Sequence, residues 1–119
     1  MNLPYGQYCE IYGKTLRNRV LEFFLEAYFA DIAVSEITDL SNISKPKAYQ
    51  IIDEFIKKGF VIKSRVIGKT QMYKLNTENP IVKIYIRNFK ECLNMVFEQY
   101  SKKKTSNSSA RVAVSAKGI

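Results

Sequence analysis

Histidine and tryptophan are absent from this chain, and its two cysteines, Cys9 and Cys92, stand far apart with no CxxC pair. Without histidine the usual zinc-ligand sets cannot assemble and the commonest general base is missing, so neither metal, cofactor nor catalysis is expected. No apolar run approaches the roughly 18 residues that a membrane-spanning helix needs. Met1–Gly13 carries no cationic, apolar signal-like stretch. The expected location is therefore the cytoplasm, with reduced thiols.

What is present is a foldable core and a segregated charge. Of 119 residues 46% are hydrophobic, with 8 Tyr and 7 Phe, enough apolar surface to offset the entropy of ordering one compact domain plus an appendage. The net charge of +8 is unevenly spread. Between residues 41 and 75 stand Lys45, Lys47, Lys57, Lys58, Lys63, Arg65, Lys69 and Lys74 against Asp53 and Glu54 alone; the last 19 residues are basic without a single acid; the remainder is slightly acidic. A soluble surface mixes both signs, whereas charge gathered this way points at a polyanion, and nucleic acid is the natural one.

Residues 1–13 contain Pro4, Gly6 and Gly13, show no helical period and read as an irregular arm. From Thr15, a plausible N-cap, apolar residues recur at Leu16, Val20, Phe23, Phe24, Ala27 and Tyr28, one face of a helix. Ala30–Val34 has room for a short strand, and Ser35 is placed to cap a brief helix whose Ile37 and Leu40 face inward. Ser41-Asn42-Ile43-Ser44 reads as a tight turn, with Asn42 suited to a left-handed conformation and Ser44 to capping the next helix. Two short helices about a four-residue turn are the helix-turn-helix pattern. The helix after the turn is expected from about Lys45 to Lys58, with Pro46 in its first turn and Gly59 at its end. Its buried stripe is Ala48, Ile51, Ile52, Phe55 and Ile56, which leaves Lys45, Lys47, Tyr49, Gln50 and Asp53 outside.

Two β-rich stretches, Phe60–Val66 and Gln71–Leu75, flank a turn that contains Gly68, a hairpin signal. Alternation would set Lys63, Arg65 and Lys74, with Lys69 at the tip, along one basic edge. Asn79 and Pro80 open a last helix running to about Tyr100, whose Val82, Tyr85, Ile86, Phe89, Leu93, Val96 and Tyr100 form a seam of about three heptads, more than a small domain can cover. A homodimer is expected through that seam. Residues 102–119 lack period and read as a basic flexible tail.

The order helix, strand, helix, turn, helix, hairpin, long helix defines a mainly α fold with a small β hairpin (α+β). With Val34-Ser35-Glu36-Ile37, Ser44-Lys45-Pro46-Lys47-Ala48-Tyr49, Lys58-Gly59-Phe60-Val61, Leu75-Asn76 and Asn79-Pro80-Ile81-Val82-Lys83, it resembles the archaeal winged helix-turn-helix transcriptional regulators of the broad MarR/ArsR-like type, over roughly residues 14–100. The resemblance implies a DNA-binding domain at 14–78, a dimerisation helix at 79–101, a recognition helix in the major groove and a wing on neighbouring minor groove or phosphates. Carried over by position, Ser44, Lys45, Lys47, Tyr49 and Gln50 would face double-stranded DNA, with Arg65 and Lys69 from the wing beside Lys63. The recognition helix departs from the pattern in having no arginine, which weakens guanine readout and suits adenine or thymine contacts and phosphate anchoring. Two other readings stay open: a winged helix that docks a protein, and an architectural nucleoid or partition protein that coats DNA with little sequence preference.

Ser44-Lys45-Pro46-Lys47 also fits the Ser-x-x-Lys pattern of acyl-transfer enzymes, and Gly68-Lys69-Thr70 the end of a phosphate-binding loop. The first lacks its companion motifs; the second joins two strands and has Lys63 where the leading glycine belongs.

Overall fold

The computed structural model describes residues 5–28 and 30–105, with side chains to residue 100. Among the described residues five helices, α1 (Gln7–Tyr12), α2 (Leu16–Ala27), α3 (Val34–Leu40), α4 (Lys45–Lys57) and α5 (Pro80–Thr105), are joined by three short strands, β1 (Ile32–Ala33), β2 (Val61–Ile67) and β3 (Thr70–Leu75). The expected α+β architecture is present. The strands form an antiparallel sheet in the order β1-β3-β2, so β2 is an outer strand.

Local chemistry explains most boundaries. The Thr15 hydroxyl accepts from the Asn18 amide (3.0 Å) and opens α2; that of Ser44 accepts from the Lys47 amide (3.3 Å) and opens α4. Helix α4 closes as the Phe60 N–H donates to the Phe55 carbonyl (2.8 Å) across Gly59, whose φ of +78° suits a residue without a Cβ. The Gly59 carbonyl then accepts from the side-chain amides of Asn76 (2.9 Å) and Asn79 (3.0 Å), while the Asn79 side-chain oxygen caps α5 at Ile81 N (2.8 Å). One glycine thus fixes where α5 begins relative to the end of α4.

One core joins all the helices: Tyr8 of α1, Val20, Leu21 and Phe24 of α2, Ile37 of α3, Ala48, Ile52 and Phe55 of α4, Val61, Tyr73 and Leu75 of the hairpin, and Val82, Ile86 and Cys92 of α5. Tyr85 and Phe89 are half-buried against it.

Several local expectations are corrected. Residues 7–12 are helical, not irregular, and Tyr8 and Cys9 are buried. Helix α3 starts at Val34, so Ser35 lies inside its first turn; Glu36 supplies half of a capping box by accepting from the Ala33 amide (2.8 Å). Leu40 is exposed, and the turn after it instead buries Ile43. Among described non-glycine residues only Tyr28 takes a positive φ, so the turn forms without a left-handed Asn42. Helix α5 continues to Thr105, past the expected start of the tail; residues 106–119 lie outside the described residues.

Val82 and Ile86 were expected in a dimer seam but are core residues of their own chain. A seven-residue repeat reports that a stripe is covered, not by what, and here the first half of the stripe is covered by the domain itself.

Candidate nucleic-acid interface

Helix α4 divides cleanly. Ala48, Ile51, Ile52 and Phe55 are buried, while Lys45, Lys47, Tyr49, Gln50 and Asp53 are exposed. Lys45 and Lys47 make no ion pair with the described residues, and they project at a helix N-terminus whose partial positive charge adds to theirs. The acids sit further along: Glu54 is occupied by Arg17 (2.7 Å) and Lys58 (3.2 Å), which hold its carboxyl below the usual range, the Arg17 hydrogen bond being the largest cause. Arg17 also lies over the Phe55 ring, 5.0 Å from its centroid. Together with Thr15, it lines a shallow groove shared with Lys47 and Gln50 of α4, a neighbour that the sequence did not single out.

Strand β2 of the hairpin packs against α4. Val61 pairs with Leu75 and Lys63 with Tyr73, but beyond a bulge Val66 pairs with Gln71 and Ile67 with Thr70, so β2 carries one extra residue. Tyr73 is buried, and its phenol is pushed up by burial first and then by Tyr49 and Asp53. Gly68, at φ +62°, makes the first position of a two-residue turn, with Lys69 second.

No protein-family model matches this chain, and no curated protein matches it. Among solved structures, the adhesin competence repressor (AdcR) of Streptococcus pyogenes aligns over 87% of this chain and 73% of its own, with a TM-score of 0.56 at 12% identity. The fold is a winged helix. The archaeal chromatin protein TrmBL2 aligns over 86% of this chain but 37% of its own, with a TM-score of 0.43 at 22% identity. At these identities the likeness concerns the backbone.

In this fold α4 is the second helix of the helix-turn-helix and β2–β3 is the hairpin, or wing, that follows it. The expected residues are brought together only in part. Ser44, Lys45, Lys47, Tyr49 and Gln50 line the outer side of the first two turns of α4. Lys63 and Lys69 are exposed on the wing without ion-pair partners among the described residues. Arg65 departs from expectation. The bulge breaks the alternation, so Val66 takes the register position that Arg65 would have held. The Arg65 guanidinium grips Asp31, just ahead of β1, through Nε (2.8 Å) and Nη2 (3.3 Å), and Ser64 Oγ donates to the same carboxylate (2.7 Å). This non-adjacent pair had no signal in the sequence beyond the two charges.

The Arg65 and Ser64 hydrogen bonds hold the Asp31 carboxyl at about 2, below its usual value. A lowered carboxylate pKa in the folded state adds stability above the unfolded value near pH 4, and that stability is lost as pH falls towards 2. Asp31→Asn should therefore melt below the parent at pH 7, with the gap closing between pH 4 and pH 2. Thermal unfolding across that range checks it; a pH-independent gap would assign the pair no electrostatic role.

Among the described residues no group of three or more metal-ligating side chains occurs, and no helix is long and apolar enough to cross a membrane.

Proposed function

We propose that this protein is a sequence-specific, double-stranded-DNA-binding transcriptional regulator, not an enzyme, acting as a homodimer on the nucleoid. The observation that carries the reading is the exposed Lys45, Lys47, Tyr49 and Gln50 surface at the start of α4, standing beside a wing that carries Lys63 and Lys69. A helix of this kind fits the major groove, its N-terminal residues reaching base edges and phosphates. The most perturbed groups argue for binding over catalysis. Tyr8 and Cys9, both pushed up chiefly by burial, Cys9 to about 12, lie on the buried side of α1, and Asp31 is held by Arg65; none belongs to the α4 face.

Titration of a duplex at increasing salt tests this reading. The logarithm of affinity should fall linearly with the logarithm of salt concentration, with a slope near −0.9 for each phosphate contacted. A protein that ignores duplex DNA at low salt, or binds it independently of salt, contradicts the proposal.

For the dimer, the supporting surface is the distal half of α5. The helix has 26 residues, about 39 Å at 1.5 Å per residue, and continues well beyond its last core residue, Cys92. There Leu93, Val96, Phe97 and Tyr100 are exposed on one face at i, i+3, i+4 and i+7, and Phe97, 66% exposed, is the most open large apolar side chain among the described residues. Tyr85 and Phe89, half-buried, are left to border that face. A two-fold pairing would space two recognition helices about 34 Å apart. Val96→Glu/Phe97→Glu should weaken self-association roughly thirtyfold or more, since central aromatic anchors are each worth about 2 kcal/mol or more. Sedimentation should find two chains for the parent and one for the variant; a monomeric parent removes the dimer.

A further inference from the structure

The end of the wing has a composition that DNA-facing charge does not explain. Val66 and Ile67, the last two residues of β2, are 60% and 50% exposed, and Gly68 has open space around it. They occupy the two register pairs nearest the turn, opposite Gln71 and Thr70. The wing's arginine is not among them, being bound through two nitrogens to Asp31 beside the far strand of the sheet. The projecting surface is thus an apolar pair, a glycine, one lysine and the exposed Thr70 opposite Ile67.

We propose that the wing reads the minor groove through Val66 and Ile67, discriminating for A·T and against G·C, while Asp31 and Arg65 set its posture. The inference rests on the DNA-binding reading and adds to it a specificity that α4 does not carry.

The physical case has three parts. Paired strands lie about 4.8 Å apart and the minor groove is only about 6 Å wide, so a wing enters by its tip, and a two-residue turn led by glycine is the thinnest tip available. In that groove A·T pairs present acceptors only, whereas G·C adds the guanine amino group; an apolar side chain against that donor strips its water and returns no hydrogen bond. Lys69 at the turn is drawn to the negative potential of narrow, A·T-rich grooves, so charge and apolar contact favour the same sequences. Apolar wedges from strand and loop tips are also able to open base steps from this side. The bulge contributes by turning Val66 onto the register position that strict alternation would have given to Arg65.

The test uses the full chain and three duplexes that differ only where the wing lies, carrying A·T, G·C or inosine·cytosine pairs. Inosine keeps the major-groove face of guanine and lacks the minor-groove amino group. The parent should bind the A·T and inosine duplexes alike and the G·C duplex about tenfold more weakly. Val66→Ser/Ile67→Ser should abolish that difference while its melting temperature stays with the parent, and Ile67→Leu should keep it. If the parent does not distinguish the duplexes, or the double variant still prefers A·T, the tip is not the reader, and binding itself stands untouched. If the parent retains no duplex at all, both this inference and the DNA-binding reading fail.

Discussion

Glu22→Ala should cost the fold about 3–5 kcal/mol, the range for leaving one partner of a buried ion pair unmatched. Glu22 and Arg19 are both almost wholly buried and bonded to each other, and the Arg19 guanidinium lies 4.2 Å from the centre of the Phe23 ring. The same carboxylate accepts from the Gly6 amide (3.0 Å), the Cys9 amide (3.4 Å) and the Cys9 thiol (3.5 Å), so it ties α1 to α2. Removal strands a charge and two amides at once. For a domain of this size the melting temperature should fall by roughly 10–25 °C. Cys9, shielded and protonated in the parent, should then react with a thiol reagent at neutral pH. Replacing both Arg19 and Glu22 with apolar residues should recover only part of the loss, because the α1 amides stay unpaired. A variant within about 1 kcal/mol of the parent would show that the pair is dispensable. Gly6→Ala acts on the same point from outside: a Cβ there would lie 2.4 Å from a Glu22 carboxylate oxygen.

The second large effect is on DNA. Lys45→Ala/Lys47→Ala should weaken duplex binding about 10- to 100-fold near 0.1 M salt and reduce the salt slope by about 2, one for each phosphate anchor removed. The fold should be unaffected, since both side chains are exposed and the Ser44 cap remains. Tyr49 and Gln50, a turn further along, should alter which sequences are preferred more than how tightly any is held. Parent-like affinity and slope in the double variant would move the contact surface off α4.

How much of this was legible in the sequence depended on the range of the interaction. Helix α4 was readable because its stripe, its Ser44 cap and its Gly59 stop all lie within its own length. The hairpin was readable from its two apolar runs around Gly68. Helix α1 was not, because six residues are too few to show a period and it is held by a carboxylate inside an apolar helix, a residue that reads as solvated until its partners are known. The bulge was invisible for a related reason: one extra residue in a strand leaves composition unchanged yet reassigns every side chain after it, and so Arg65 and Val66 exchanged roles. In α5 the heptad stripe marked covered positions without naming the cover, and Val82 and Ile86 went to the core while Val96 and Phe97 were left outside.

The central claim is that the outward face of α4 meets the major groove of a defined duplex site. Selecting bound molecules from a random duplex pool at moderate salt, then footprinting the winner, tests it most directly. The account predicts enrichment of one sequence and discrete protection over two half-sites about ten base pairs apart, with neither in Lys45→Ala/Lys47→Ala. A pool that passes through unretained, or protection that spreads along the duplex without a preferred sequence, would contradict it.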